Sequence, residues 1–473
     1  MDAPSVGREV VPVRVRGVAT LWYFLRMLND PISCVRSVFE RYGSLVAFES
    51  FALHRRGDTV LAVGAEFNKA VLGDITTWRT GPLPVSGPKG SALDRLGQNL
   101  VSLNGPRQTY YRKLLSQPIR SSRMAQLGND MGQFVAGEVA SWPEGAVDLW
   151  PLSKHLVRSV AVAMLFGGDQ ARGAALAELS EQLMVESKTR QVYLCRAGFP
   201  GKALKKLQRR AEQVERCALD FAETKRGALD ERDMLSVLVN SPDETGAAPS
   251  PDIIAGQIPI LFGATHETCQ TALAWTLFLI AQHPDVARDL VDEISGALAG
   301  APPTLSRVAH LPLLDAVVKE SMRILPPVPN LARVASQSTS LGGYDVRRGT
   351  WIVLSSFLTN RAPELYDGPA RFAPERWSRI NPSGFEYMVF SGGPRVCPGS
   401  SFGTAVVKVS IAAILSRFCI SIVPGARIDR RVAVTMAPRG LPVVLHPPGR
   451  GWTASPVTGQ VCDMVELSLS RAH

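Results

Sequence analysis

Apolar positions fall into distinct regimes along the chain. Over residues 1–100, short helical pieces mix with strand-like runs at 44–51 and 59–63, and a Pro/Gly-rich loop follows over 81–90. From 110 to 226, apolar residues recur three and four apart among abundant Ala, Leu, Glu, Gln and Arg, which predicts several consecutive helices. Segment 242–251, with Pro242 and Pro251 at its ends, reads as an exposed connection. The longest apolar stretch, 253–280, would run about 40 Å as one helix. His266 and Glu267 interrupt its centre, and an ionisable pair at mid-bilayer costs several kcal/mol, so the pattern predicts a buried helix with a polar notch. The final third alternates strand-like runs, 351–354 and 441–445, with loops rich in Pro, Gly and Arg, and 449–473 lacks strong periodicity, as a loosely attached tail would.

Composition narrows the class. Of 473 residues, 45% are hydrophobic and 20% charged, which fits a large globular core and excludes a disordered scaffold. The net charge of +10 favours acidic partners or anionic surfaces. No basic run interleaved with aromatics suggests nucleic-acid binding. Seven cysteines without close pairing argue against a disulfide framework or a zinc ribbon and imply reduced thiols in a cytoplasm. The apolar residues 20–25, bracketed by Arg14, Arg16, Arg26 and Asp30, fall far short of the ~20 that a spanning helix needs. The reading is therefore no signal peptide and no membrane anchor, with residues 21–28 as a packed amphipathic helix rather than a shallow membrane contact.

The sharpest local signal is the decapeptide Phe390-Ser391-Gly392-Gly393-Pro394-Arg395-Val396-Cys397-Pro398-Gly399, followed at once by the apolar run 402–418. Cys397 is expected where a helix starts, with Pro398 suited to the first helical position, so that helix amides and dipole favour a thiolate. Flanking glycines let the backbone approach something flat. A thiolate held this way is an axial ligand for haem iron or a nucleophile; a lone cysteine before a helix is more often a packing residue, and it is the surrounding pattern that overturns that reading.

The decapeptide resembles the haem-binding signature of the cytochrome P-450 family, F-x-x-G-x-R-x-C-x-G, at every fixed position: Phe390, Gly393, Arg395, Cys397 and Gly399. Other segments follow in the family's order. Glu320-Ser321-Met322-Arg323 is similar to E-x-x-R, whose spacing puts both charges on one helix face. Phe372-Ala373-Pro374-Glu375-Arg376-Trp377 matches the segment supplying a third charge, so Glu320, Arg323 and Arg376 resemble the family's buried triad. Ala264-Thr265-His266-Glu267-Thr268-Cys269 is similar to A/G-G-x-D/E-T-T, with Thr265 in place of a glycine and Cys269 in place of a threonine. Taken alone, that hexapeptide is equally a polar notch satisfied by its own helix.

The resemblance implies one domain over 1–448, mainly α with small β-sheets (an α+β chain), holding haem b between the long central helix and the Cys397 loop. Cys397 would ligate the iron; Arg112, Arg333 and Arg395 would meet the propionates, with Gln108 where the family carries His or Trp. Glu267 and Thr268 would relay the protons that dioxygen cleavage consumes. The implied activity is NAD(P)H-driven monooxygenation, most simply hydroxylation, of a small apolar molecule: a terpenoid, fatty acid, steroid or polyketide. The pocket is expected from loop 81–103, helix 183–199, segment 262–268, turn 328–331 and the strand end near Met436, with Phe262, Ala264, Val328, Leu331 and Met436 lining it. Lys188, Arg190 and Arg196 lie near its mouth, where a solvated face competes with a carboxylate contact. No flavin or iron–sulfur motif is present, so electrons would come from a separate ferredoxin with its reductase, or a flavodoxin. A peroxygenase, or a haem- or ligand-binding protein without turnover, is the alternative; retention of Glu267 and Thr268 argues against the peroxygenase.

Overall fold

The computed structural model describes residues 12–49, 58–81, 87–119, 121–187, 189, 191–192, 202–227, 229–449 and 451–467. The chain divides into two units: Met1–Gly81, Val328–Pro369 and Pro382–Cys397 form the first, and Pro82–Pro327, Ala370–Asn381 and Pro398–His473 the second.

The first unit is built on a six-stranded mixed sheet. From edge to edge its strands are Val13–Val15, Leu45–Phe48, Thr59–Ala62, Trp351–Ser355, Asn330–Ala335 and Trp78–Arg79. The runs LVAF and TVLA are apolar at almost every position because both sheet faces are covered. Leu45, Ala47, Val60 and Ala62 face Phe67, Val71, Leu72 and Tyr344. Val46 and Leu61, on the opposite face, meet Tyr23, Cys34, Val35 and Val38 from helices Val18–Asn29 and Pro31–Tyr42. Asp30 caps the second of these helices, its carboxylate accepting from the Ser33 amide, and Pro31 occupies a first-turn position where no amide is needed.

The second unit surrounds the helix Pro251–Gln282, which matches the long apolar stretch. Ser250 caps it through the Ile253 amide, and Pro251 starts it. The helix continues unbroken through Pro259. From Cys269 to Gln282 every residue is buried, so this half is enclosed around its whole circumference, with Gln270, Thr271, Thr276 and Gln282 as its polar members. At Gly256 the helix passes close to a neighbouring backbone: a Cβ there would stand 2.4 Å from the Gln98 carbonyl oxygen. Helices Ser121–Ala140, Leu149–Leu165, Gln170–Ser187 and Ala203–Glu223 answer the helical periodicity of 110–226. That stretch also contains a strand, Gly145–Asp148, which joins Cys419–Ile422 and Pro442–His446 in an antiparallel sheet. A smaller hairpin pairs Arg430–Val432 with Met436–Pro438. The architecture is thus mainly α with small β-sheets.

The segment after 449 has no long element, yet Val457, Val461, Met464 and Val465 are buried within this unit. Single β-bridges tie Thr458 to Arg427 and Glu466 to Arg371, and Gln282 donates to the Ser455 carbonyl at 3.1 Å. Aperiodic packing of this kind leaves no repeat for a sequence pattern to show.

Glu320, Arg323 and Arg376 meet in the second unit's interior. Glu320 Oε1 accepts from Arg323 Nη2 at 2.9 Å, Arg376 Nε at 2.9 Å and the Ala373 amide at 3.0 Å. Oε2 accepts from Arg323 Nε at 2.9 Å and Trp377 Nε1 at 3.0 Å. The Glu320 and Arg323 side chains are wholly inaccessible. Their helix, Pro312–Ile324, is itself fixed at its start by Glu293, whose carboxylate accepts from the Leu313 and Leu314 amides. Removing one member of a buried ion pair typically costs 3–5 kcal/mol because its partner stays buried and uncompensated. Glu320→Ala is therefore expected to lower the unfolding free energy by about 3–5 kcal/mol in urea denaturation; an unchanged midpoint would show that this carboxylate does not anchor the packing.

Candidate functional site

In the first unit, the Cys397 loop is a chain of tight turns. Met388–Phe390 and Gly393–Arg395 are single 3-10 turns, separated by Ser391, which takes φ 62° without being glycine. Such a conformation costs about 1–3 kcal/mol and persists only where the surroundings enforce it. Several contacts do so. Asn360 Oδ1 accepts from the Met388 amide at 2.9 Å, Asn68 Nδ2 donates to the Phe385 carbonyl at 2.9 Å, and the Tyr366 hydroxyl donates to the Glu386 carbonyl at 3.2 Å. Gly393, at φ 66°, lies so close to the Leu72 carbonyl oxygen that a Cβ would stand 2.2 Å from it. The Cys397 amide donates to the Phe390 carbonyl at 2.8 Å and closes the loop. The cysteine is half-buried and not in a disulfide.

The expectation for Pro398 needs correcting. The helix following the loop is Ser400–Arg417, capped by Gly399, so Pro398 precedes its first residue by two positions. Pro398 and Gly399 form a turn, and the Gly399 carbonyl accepts the first helical bond, from the Gly403 amide at 2.8 Å. Cys397 accordingly stands three residues before the helix begins.

Two cations share the first unit with Cys397. Arg395 Nη1 donates to Thr80 Oγ1 at 2.6 Å. Arg333, on strand Asn330–Ala335, is buried and donates to the carbonyl of its own neighbour, Ala332, at 2.9 Å. No carboxylate pairs with Arg333 among the described residues. Burial, with the like charge of Arg395 nearby, pushes its guanidinium down to about 10. A buried cation facing a second cation is electrostatically incomplete, and a pair of carboxylates such as haem propionates would complete it. The residues present thus fit the group that the cysteine motif implies.

In the second unit, Gln108 is buried and Arg112 half-buried, one turn apart on helix Gly105–Leu115. On the central helix, Ala264 is exposed while Thr265, Glu267 and Thr268 are half-buried. The hydroxyls bond back along the helix: Thr265 Oγ1 donates to Leu261 O and Thr268 Oγ1 to Ala264 O, each at 2.8 Å. The helix is closed here, as fits a threonine in place of the family's glycine. Cys269, where the family carries a second threonine, is buried, and a Cβ on Gly403 would come within 3.3 Å of its sulfur.

His266 is buried, its ring 5.3 Å from that of Phe262, and its Nδ1 contacts the Phe262 carbonyl at 3.1 Å. Desolvation holds its imidazole below the usual value. Phe262 is wholly enclosed, with the Phe166 ring 5.3 Å away on another side. Met436 is equally enclosed; its carbonyl accepts from Trp275 Nε1 at 2.7 Å. Val328 and Leu331, in the first unit, are half-buried. Lys188, Arg190 and Arg196 lie outside the described residues.

Two residues escaped the sequence reading. Trp377 was quoted only as a motif letter, yet its indole bonds Glu320. Thr435 Oγ1 donates to Glu267 Oε1 at 2.8 Å, a contact spanning 168 positions that no local pattern announces.

Comparison with known proteins decides the family. The sequence model for Cytochrome P450 matches residues 19–444. The chain belongs to the cytochrome P450 family. It is similar to cyclooctatin synthase of Streptomyces melanosporofaciens, 27% identical over 412 residues, which cover 79% of this chain and 89% of that protein. A putative cytochrome P450 137 of Mycobacterium tuberculosis is 28% identical over 426 residues, 87% of this chain and 84% of that one. Among solved structures, retinoic acid-bound cyanobacterial CYP120A1 superposes with a TM-score of 0.79 at 23% identity, covering 89% of this chain and 96% of that one. The haem domain of cytochrome P450DA gives 0.76 at 20% identity, covering 93% and 98%. Those two likenesses establish the fold. As a cytochrome P450, the chain is an oxidoreductase of the haem-iron monooxygenase class, which takes a small substrate, dioxygen and electrons from a separate partner. Among the described residues no helix is long and apolar enough to cross a membrane.

The depressed imidazole of His266 has a consequence for stability. As pH falls, the unfolded chain, whose histidines titrate near about 6.5, takes up the proton before the folded one does. The contribution of His266 is complete above that pH and is lost progressively below it; His283, also depressed by burial, acts in the same direction. The urea midpoint should therefore drop between about pH 7.5 and 5.5, and His266→Gln should make the drop smaller. An equal drop in the variant would remove His266 from the account.

Proposed function

We propose that this cytochrome P450 is a haem-thiolate monooxygenase that hydroxylates an apolar isoprenoid, using NAD(P)H-derived electrons from an acidic ferredoxin or flavodoxin. The observation that carries the cofactor assignment is the buried Arg333, without a carboxylate partner among the described residues and with the half-buried Arg395 in the same unit as Cys397. Cys397 would supply the thiolate ligand to haem b, and Arg333 and Arg395 would meet its propionates; the family's sequence pattern gives Arg112 and Gln108 the same role. When bound, haem would supply the dioxygen chemistry by which, with two electrons and two protons, one oxygen atom enters a substrate C–H bond and the other leaves as water.

The protein's part is to manage those protons and exclude others. Thr268 spends its single hydroxyl proton on the Ala264 carbonyl, which leaves oxygen lone pairs to accept a hydrogen bond from water. The hydroxyl thus holds a water in place, and the proton itself comes from the neighbouring carboxyl of Glu267. His266, neutral and turned into the Phe262 packing, takes no part in this exchange.

Support for an isoprenoid comes from the similarity to cyclooctatin synthase. The chain's +10 charge suits an acidic donor, whose approach would be steered at low ionic strength and weakened by salt.

The test is the carbon-monoxide difference spectrum of the dithionite-reduced protein, then ferric Soret shifts with retinoic acid, farnesol, lauric acid and progesterone. A thiolate-type Soret band is expected, absent in Cys397→Ser, with the largest ligand shift from an isoprenoid. No such band in folded, haem-replete protein would overturn the haem-thiolate reading. Thr268→Ala should keep the band while product per NADPH falls by about tenfold or more; an unchanged ratio would remove Thr268 from proton handling.

A further inference from the structure

The hairpin Arg430–Val432/Met436–Pro438 reaches the central helix at two points on its second strand side. Trp275 Nε1 donates to the Met436 carbonyl at 2.7 Å, and one residue earlier Thr435 Oγ1 donates to Glu267 Oε1 at 2.8 Å. Neither the turn nor its docking needs the Thr435 hydroxyl. The Ala433 amide donates to the Thr435 carbonyl at 3.0 Å and closes the turn, and the Met436 amide donates to the Pro327 carbonyl at 2.8 Å. Thr435 itself is 2% exposed, so its side chain was withdrawn from water to reach a half-buried carboxylate.

From this geometry we propose that Thr435 is a positioning residue, holding the Glu267 carboxyl in one orientation for proton delivery; the proposal rests on the reading of Glu267 as the proton source. The choice of a neutral hydroxyl matters. A lysine or arginine in its place would favour the ionised carboxylate and resist proton uptake. A threonine donates to the carboxylate and, when the carboxyl is protonated, accepts from it, since the same oxygen carries one proton and two lone pairs. The contact therefore survives the charge change that a proton-delivering group undergoes, and the hairpin keeps Glu267 in register in both states. Losing it frees the side-chain torsions of Glu267, and small misplacements of a reacting group lower rates steeply.

Two measurements test this in the haem-loaded full chain. The first needs no ligand: a double-mutant cycle of Thr435→Val and Glu267→Ala on the urea midpoint, expected to be non-additive because the two side chains touch. Additive shifts would overturn the contact. The second uses NADPH with a plant-type ferredoxin and its reductase, and the member of the four-compound panel with the largest Soret shift. Thr435→Val is expected to lose about tenfold in product per NADPH and to show an altered solvent deuterium isotope effect, with both restored by Thr435→Ser. If Glu267→Gln loses coupling while Thr435→Val keeps it, the positioning role is overturned and the proton source stands. If Glu267→Gln keeps its coupling, the proton-source reading fails and this proposal with it. Should the wild type turn over none of the four compounds, the hydrogen peroxide released per NADPH consumed is read instead, and an unchanged ratio in Thr435→Val overturns the positioning role.

Discussion

The carboxylate of Glu320 is the interaction on which the second unit's packing depends. It is wholly inaccessible and accepts hydrogen bonds from two guanidiniums, an indole and a backbone amide. One negative charge faces two positive ones, so the cluster retains excess positive charge, which the Arg371 carbonyl relieves by accepting from both Arg323 and Arg376. Desolvating such a group gains little net stability. Its effect is to penalise every arrangement in which helix Pro312–Ile324 and the 3-10 turn Pro374–Ser378 do not meet at this point. The cluster joins segments more than fifty positions apart, and only one packing satisfies all its donors together.

The first unit shows the opposite electrostatic condition. Arg333 is buried with a like charge for company, and its guanidinium is pushed down accordingly. A fold that satisfies Glu320 so fully does not leave a cation in this state through poor packing; the deficit is local to the unit that carries the cysteine loop. The strained Ser391 and the close approach of Gly393 to Leu72 belong to the same loop. Strain, incomplete charge and a half-buried thiol fall within one unit, as expected where stability is given up for binding.

How far the sequence could be read depended on whether each feature was local. The decapeptide ending at Gly399 and the pair Glu320 and Arg323 lie within ten residues or one helical turn, so fixed spacing carries them. The central helix showed itself through length and apolarity, and its polar notch through His266 and Glu267. Features formed by distant partners left no such trace. The strand Gly145–Asp148 sits inside a helical stretch and is defined only by pairing with Pro442–His446. Trp377 and Thr435 acquire their roles from carboxylates 57 and 168 positions away. Pro398 was misplaced because proline suits a turn as well as a first helical position, and the following Gly399 tips the balance toward the turn.

The central helix also shows that two readings of a polar notch need not compete. The hydroxyls of Thr265, Thr268, Thr271 and Thr276 each bond a carbonyl four residues back, so every one of them is structurally satisfied. Satisfaction of a hydroxyl, however, uses one proton and leaves acceptor capacity behind. At Thr276, in the fully buried half, the hydroxyl meets Ser321 and has no access to water. At Thr268 the same back-bond occurs on a half-exposed stretch, next to a carboxyl that a second element holds in place. The chemistry of the two threonines is identical; exposure separates them, since one is sealed in packing and the other keeps acceptor lone pairs on a half-exposed stretch, which the proposed proton handling would use.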